Sequence, residues 1–218
     1  PNVEIFRESP MSANDIEDFG ADHAVIATGS RWRRDGVGVL GLARGEFPLA
    51  LTPDDVFAGA VLTGPVVIHD DEHYFMGGAL AEKLRRAGHE VTLVTPQATA
   101  SSWTAYTDEQ GFVQARLLDL GVRLELSQML LAQEEGLARL ACAYTGRAKE
   151  IACATLILVT GRLPEDHLFK ALGDLPGIVR VGDCLAPSSI ADAIHSAHRY
   201  ARLLGEPDLP PRREMPPL

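Results

Sequence analysis

Apolar residues in this chain fall into short unbroken runs set apart by polar turns, and between the runs they recur at helical spacing. Val66–Ile68, Val91–Val94 and Leu156–Thr160 are runs of the kind that fill strands buried on both faces. His23–Ala27, Val122–Leu126 and Ile178–Val181 predict further strands, and Val3–Phe6 predicts a short one. Leu137–Tyr144 and Ala148–Ala152 predict a hairpin turned at Thr145, Gly146 and Arg147. Ala79, Leu80, Lys83, Leu84 and Ala87 mark a helix that ends at Gly88, where a left-handed residue is wanted. Ser12 with Asp15, Thr52-Pro53-Asp54-Asp55 and Thr107-Asp108-Glu109-Gln110 are helix starts that set a capping hydroxyl beside acids facing the helix dipole. The first of these helices ends at Gly20 and the third runs to Leu120, closing at Gly121. Pro164–Leu172 predicts a short helix. The last helix runs from about Ser188 to Leu204, with Ile190, Ile194, Ala197, Ala201 and Leu204 as its inner face. Residues 33–51 and 96–106 read as irregular connections, and 206–218 as a loose or packed-on tail rich in proline and charge.

The segment PVVIHDDEHYFMGGALAEKLRRAGHEVTLVT at 65–95 puts strand, loop, helix and strand in the order of half a dinucleotide-binding fold. Such a loop is rich in glycine so that the backbone approaches a pyrophosphate and the helix N-terminus faces it. Here it holds His69, Asp70, Asp71, Glu72 and His73, and only Gly77 and Gly78 remain, read as packing glycines. Three carboxylates stand where a pyrophosphate needs donors. The second strand ends at Thr95-Pro96-Gln97, with neither an acid for an NAD ribose nor an Arg for a 2′-phosphate. The unit reads as a nucleotide-binding fold that has lost its nucleotide. Two strands end alike, at Ala27-Thr28-Gly29 and at Val159-Thr160-Gly161. They bracket an insertion over 52–162 inside a domain built from 1–51 and 163–218.

Composition narrows the function classes. At 218 residues, 46% hydrophobic and with mean hydropathy near zero, the chain reads as a soluble α/β protein of one large or two small domains. No run approaches the roughly 18 apolar residues of a membrane span. A net charge of −10 argues against nucleic acid and anionic membranes and permits a basic protein partner. Cys142, Cys153 and Cys184 have no metal-ligand spacing and read as buried thiols of a reducing, cytoplasmic compartment. No signal peptide is visible, and the first residues, Pro1-Asn2-Val3, read as a start in mid-fold.

The motifs AVIATGSRW at 24–32, LILVTGR at 156–162 and IVRVGDCLAPSSIADAI at 178–194 occur in an order and spacing that resemble the two-dinucleotide-fold flavoproteins of the glutathione reductase type. Over nearly the whole chain the sequence resembles the C-terminal portion of the trimethylamine dehydrogenase / 2,4-dienoyl-CoA reductase (NADH:flavin oxidoreductase) family. Its VVIHDDEHYFMGG stretch most resembles the amine dehydrogenase branch, where a Tyr-Phe-Met segment likewise follows a replaced Gly-rich loop. The resemblance implies two Rossmann-like domains. The outer one is discontinuous and truncated at its N-terminus, with FAD or ADP as its nucleotide; the inner one is an NAD(P)-binding-like domain with a degenerate loop. It further implies an N-terminal barrel of the same polypeptide, holding FMN and an iron–sulfur cluster, that would lie before Pro1 and be a partner of this chain. An electron-acceptor flavoprotein and a homo-oligomer are further partners to expect.

In that family the acid after the strand-end glycine, here Asp183 after Gly182, holds the ribityl or ribose part of an adenine dinucleotide, and Ala27, Thr28 and Gly29 line the same cleft. The plainer readings are that Asp183 caps the next helix and that 27–29 form a tight exit from a strand. His69 and His73 with Asp70, Asp71 and Glu72 could bind a divalent ion, or simply form an acidic loop. His195 and His198 read as a solvated helix surface. Trp103 and Tyr106 read as an electron path to a partner or as core or rim aromatics. No catalytic residue and no metal site is assigned. The reading is a nucleotide-binding module of a flavin-dependent oxidoreductase, inactive alone. A non-catalytic docking module for a partner protein or subunit is the alternative, and an NAD(P)H-dependent flavin reductase is a third reading.

Overall fold

The computed structural model describes residues 2–40, 47–134, 136–173 and 175–204. The elements, in chain order, are α1 (Ala13–Phe19), β1 (Ala24–Ile26), β2 (Ser30–Trp32), α2 (Pro53–Phe57), β3 (Val66–Asp70), α3 (Met76–Arg86), β4 (Val91–Thr95) and α4 (Gln110–Asp119). They continue with β5 (Arg123–Leu126), β6 (Gln128–Glu134), β7 (Leu137–Cys142), β8 (Ala148–Ala152), β9 (Thr155–Val159), β10 (Arg162–Pro164), α5 (His167–Leu172), β11 (Ile178–Arg180) and α6 (Ile190–Arg202). Short 3-10 turns cover Ser102–Thr107 and Gly182–Cys184. The chain divides into two compact units, Trp32–Arg162 and the pair Pro1–Arg31 with Leu163–Leu218.

The unit Trp32–Arg162 is a mixed α/β body around a four-stranded parallel sheet ordered β5-β4-β3-β9. Every residue of β3 and β9 is buried, as expected for parallel strands covered on both faces. Side chains alternate along a strand, so the two faces carry separate cores. Val66, Ile68, Leu93, Ile157 and Val159 pack on one side with Leu80, Leu84 and Leu117 of α3 and α4. Val67, Val94, Leu156 and Leu158 pack on the other side with Leu130, Leu140 and Ile151 of the antiparallel sheet β6-β7-β8, and with Phe47 and Ala50. The unit is thus helices, parallel sheet, antiparallel sheet, in three layers. Thr52 and Asp55 form a reciprocal capping box at α2.

The other unit is smaller in its core. β1 and β11 pair in parallel, Ala24 opposite Ile178 and Ile26 opposite Arg180. Ile26, Leu172 and Cys184 are its buried hydrophobic cluster, flanked by partly buried Ile16, Leu168, Phe169 and Ile178. Ser12 and Asp15 close a capping box on α1, and Gly20 ends that helix at φ 66.

Several expectations change here. Val3–Phe6 is no strand among the described residues, and Val3, Ile5 and Phe6 are exposed. A strand needs a neighbour for its N–H and C=O groups, and none pairs with this segment. The strand expected at His23–Ala27 is three residues long and half-exposed rather than buried. Strand β6 has no counterpart in the sequence reading, because Gln128–Glu134 alternates poorly and is half-buried along most of its length. The expected capping box at Thr107 does not form. Thr107 closes the preceding 3-10 turn, Asp108 takes φ 58, and α4 starts after Glu109 without a side-chain cap. Cys142 is half-exposed, whereas Cys153 and Cys184 are buried. The tail expected at 206–218 lies outside the described residues.

The central sheet sets a stability prediction. Leu156 is fully buried in β9 on the face shared with the antiparallel sheet. Leu156→Ala should lower unfolding stability by about 2–5 kcal/mol, read as a shift in urea midpoint. Leu118→Ala, at an exposed position of α4, should change it by less than about 0.5 kcal/mol.

Candidate functional site

The adjoining C-terminal ends of β1 and β11 bring the five expected cofactor-binding residues into one place. Val181 N donates to Ile26 O at 3.1 Å, which sets Ala27, Thr28 and Gly29 beside Gly182 and Asp183. Gly29 (φ 82) and Gly182 (φ 61) both turn the chain out of its strand in the left-handed region. Asp183 Oδ2 accepts from Ser30 Oγ at 3.0 Å and Asp183 Oδ1 from Ser188 N at 3.1 Å. Gly182 N donates to Ser196 Oγ at 2.8 Å, tying the turn to α6. Thr28 Oγ1 donates to Glu165 O and lies 3.3 Å from Cys184 Sγ. Ala27 and Thr28 are exposed, and Gly29, Ser30, Gly182 and Asp183 are half-buried.

Ser30, Ser188 and Cys184 lie in this cluster, and sequence reasoning did not assign them to it. Their only signal was proximity along the chain: Ser30 follows Thr28-Gly29, and Ser188 lies at the expected start of the last helix.

The second cluster is the loop between β3 and α3. His69, Asp70, Asp71 and His73 are all about fully buried. Asp71 N and Glu72 N both donate to Val159 O, at 2.9 and 3.1 Å, so the loop continues off the edge of β9. His73 sits at φ 67, and its carbonyl accepts from Trp103 N at 2.9 Å. Val39 N donates to Asp71 O at 2.8 Å and Leu40 N to Asp71 Oδ1 at 3.2 Å, stitching the preceding connector to the loop.

Carboxylates take the donors that the loop and helix start present. Asp70 Oδ1 accepts from Glu72 N at 3.2 Å and from His73 N at 2.9 Å. Glu72 accepts from Tyr74 N at 3.3 Å and from the Met76 amide at the head of α3. A Cβ on Gly77 would overlap the Asp70 carboxylate, and one on Gly38 would overlap that of Asp71. Gly77 is therefore glycine because Asp70 lies against it. His73 Nε2 approaches Asp71 Oδ1 to 2.9 Å, off the line that a hydrogen bond needs.

Burial shapes the titration of this cluster. It pushes the Asp70 carboxyl up to about 7 against the opposing bonds from the loop amides. It also raises Glu72, opposed chiefly by the Arg162 charge. It drives His69 down to about 4, so that its imidazole is neutral at pH 7. Among the described residues no group of three or more His, Cys, Asp or Glu is placed to hold a metal ion. Trp103 and Tyr106 are exposed, and His195 and His198 are exposed on α6.

Residues 51–143 match the family described as OYE-like second alpha/beta domain. Dimethylamine dehydrogenase of Hyphomicrobium sp. (strain x) is 30% identical over 243 residues, spanning 96% of this chain and 33% of that protein. The structure of histamine dehydrogenase from Rhizobium sp. 4-9 superposes on 100% of this chain and 36% of its own, at 41% identity and a TM-score of 0.90. That of 6-hydroxypseudooxynicotine amine oxidase from Pseudomonas geniculata N1 covers 94% of this chain and 32% of its own, at 32% identity and a TM-score of 0.88. The chain thus spans about a third of the length of the relatives it matches. No described helix is long and apolar enough to cross a membrane.

The buried loop should reveal itself in the pH dependence of stability. Asp70 has a folded pKa near 7, above its ordinary 3.8, so the native state holds a proton that the unfolded chain releases. Its contribution grows as pH falls from about 7 towards 4. His69 has a folded pKa near 4, below its ordinary 6.5, so stability present above pH 6.5 is lost as pH falls towards 4. The two slopes oppose each other, each at most about 1.4 kcal/mol per pH unit. Relative to the parent chain, Asp70→Asn should lose stability between pH 6.5 and 4.5, and His69→Leu should gain it. Urea titrations at both pH values read the effect; parallel curves for all three proteins would contradict it.

Proposed function

This chain is a homologue of dimethylamine dehydrogenase that carries an OYE-like second alpha/beta domain, and on that premise we propose that it is the nucleotide-binding module of a flavin-dependent oxidoreductase. In this reading its two units are Rossmann-like domains of the glutathione reductase type. The unit built from the chain ends takes an adenine nucleotide, FAD or ADP, and supports the electron-transferring half of a larger enzyme. The substrate is oxidised on an FMN and iron–sulfur barrel elsewhere in that enzyme, and the module alone has no amine dehydrogenase activity.

The observation that carries this reading is Asp183. A half-buried carboxylate stands where two parallel strands end, beside a glycine turn, held by Ser30 Oγ and Ser188 N. Ligands of open α/β sheets bind outside the carboxyl ends of the strands. The polar groups there, the Asp183 carboxylate with the Ser30 and Thr28 hydroxyl oxygens as acceptors, suit the hydroxyls of a ribose or ribityl chain. The turn at Gly29 leaves open space around it, since a Cβ there would meet nothing within 4 Å. Asp183 would accept a hydrogen bond from the sugar, Ser30 would hold that carboxylate in place, and Thr28 would fix the strand exit against Glu165. When bound, FAD would supply an electron-carrying flavin and ADP would supply no redox chemistry.

The inner unit does not fit NAD(P). The amides at its loop and helix start already face Asp70 and Glu72, and the volume over Gly77 is filled by the Asp70 carboxylate. A pyrophosphate would meet buried acids in place of donors. This geometry disfavours a reductase that takes NAD(P)H through this loop.

Two measurements test the reading. In the full-length enzyme, Asp183→Ala should weaken ADP or FAD binding by about one to two decades, the loss of one charge-assisted bond. In the 218-residue chain the same change should cost at most about 1 kcal/mol, a lost cap. Calorimetric titration and thermal melts read these, and unchanged nucleotide affinity in the full-length enzyme would reduce Asp183 to a structural residue. NADH and NADPH should give no heat of binding at the inner unit. A micromolar dissociation constant abolished by Gly77→Val would overturn that half of the proposal.

A further inference from the structure

The strand exit at Thr28 and Gly29 is bonded to one distant residue, Glu165. Glu165 N donates to Gly29 O at 2.9 Å, and Glu165 O accepts from Thr28 Oγ1. The side chain of Glu165 returns to the same stretch, where Arg31 Nη1 donates to its Oε2 at 3.0 Å. His167 Nδ1 lies 2.7 Å from the other oxygen, Glu165 Oε1. One carboxylate beside the Asp183 cleft therefore has two nitrogen partners, one on each oxygen. Together they hold the Glu165 carboxyl below its ordinary range, His167 first and Arg31 second.

Both partners face solvent: the Arg31 side chain is 55% exposed and that of His167 75%. An ion pair in such a place contributes little, because water screens the charges and the long side chain gives up its freedom to stay. Arg31 can therefore leave at small cost, and Glu165 keeps His167. Lys170 of α5 and Arg180 of β11 are engaged elsewhere. Both meet Asp166 at 2.9 Å, and the Arg180 guanidinium lies 4.5 Å from the centroid of the Phe169 ring. An adenine nucleotide brings phosphate charge to a cleft whose central side chain is itself an acid, so a cation is wanted there. A guanidinium is always charged, and its planar fork matches two phosphate oxygens at once.

We propose that Arg31 is a phosphate-binding residue of the Asp183 cleft, leaving Glu165 for a phosphate of the bound adenine nucleotide while His167 keeps hold of Glu165. This rests on the reading of the cleft as an adenine-nucleotide site. Glu165 is then a positioning residue: it parks the guanidinium beside the empty cleft and competes with phosphate for it. Its backbone stays bonded to Thr28 and Gly29 throughout, so the strand exit keeps its place when Arg31 moves.

Calorimetric titration of the full-length enzyme with ADP and with adenosine tests this. Arg31→Ala should weaken ADP binding by about tenfold, the loss of a charge-assisted contact, and adenosine binding by less than about twofold. Glu165→Gln removes the competing charge and leaves the backbone bonds, so it should tighten ADP binding by about two- to fivefold and leave adenosine unchanged. That gain is one a merely structural role would not give, and it decides the matter even where Arg31→Ala fails to fold. Arg31→Lys should recover part of the ADP affinity, since it restores the charge without the fork. Equal losses for ADP and adenosine in Arg31→Ala would make Arg31 a support of the strand end and overturn the proposal. So would unchanged ADP affinity in that variant, or weaker ADP binding in Glu165→Gln. If Asp183→Ala weakens ADP and Arg31→Ala does not, the cleft reading stands and this inference alone fails. If ADP gives no heat with the parent enzyme, both fail together.

Discussion

The buried carboxylate of Asp70 is the constraint around which the larger unit is arranged. It lies at the end of the central strand β3 and holds the Glu72 and His73 amides. An acid without solvent is costly unless donors surround it, and the loop amides are those donors. The arrangement demands glycine at 77, where any side chain would strike the carboxylate, and among the described residues neither His69 ring nitrogen has a hydrogen-bonding partner. Asp71 extends the same logic to the other side, where Leu40 N and the glycine at 38 meet it. A loop of this kind turns its own carboxylates onto its amides, the opposite of a Gly-rich turn that presents them to a ligand's phosphates.

The smaller unit has the complementary character. Its chain turns through left-handed glycines at 29 and 182, its central carboxylate is half-buried, and Ser30 and Ser188 hold that carboxylate. Its hydrophobic cluster is small, and its longest helix turns an apolar stripe outward. The unit proposed to take a nucleotide is thus also the unit with the smaller buried cluster within the described residues. The unit with the complete core has closed its ligand loop with its own side chains.

Local chemistry made much of this legible. Unbroken apolar runs located β3, β4 and β9, because a strand buried on both faces has no polar positions to interrupt it. Capping boxes at Ser12–Asp15 and Thr52–Asp55 marked two helix starts, because the bonds they make span only three residues. The acids and histidines of the loop after β3 were visible directly. Strand β6 was not, since its half-buried residues carry no clean period and its position depends on pairing with β7. The box expected at Thr107 failed because the preceding turn competed for that residue.

What the sequence by itself determined, then, was whatever a few neighbouring residues decide: strand runs, helix caps, the identity of the loop residues, and the glycine-acid pair at 182–183. Tertiary structure alone decided the rest. Ser30 meets Asp183 across 153 positions of sequence only because β1 and β11 are paired. Asp70 turns inward against Gly77 because Val159 of β9 holds the Asp71 and Glu72 amides and so sets the path of the loop. Helix α6 presents its apolar stripe to solvent because Ser196 and Ala193 are claimed by the turn at Gly182. An amphipathic period tells which residues share a face, but a contact from a distant strand decides which face turns in.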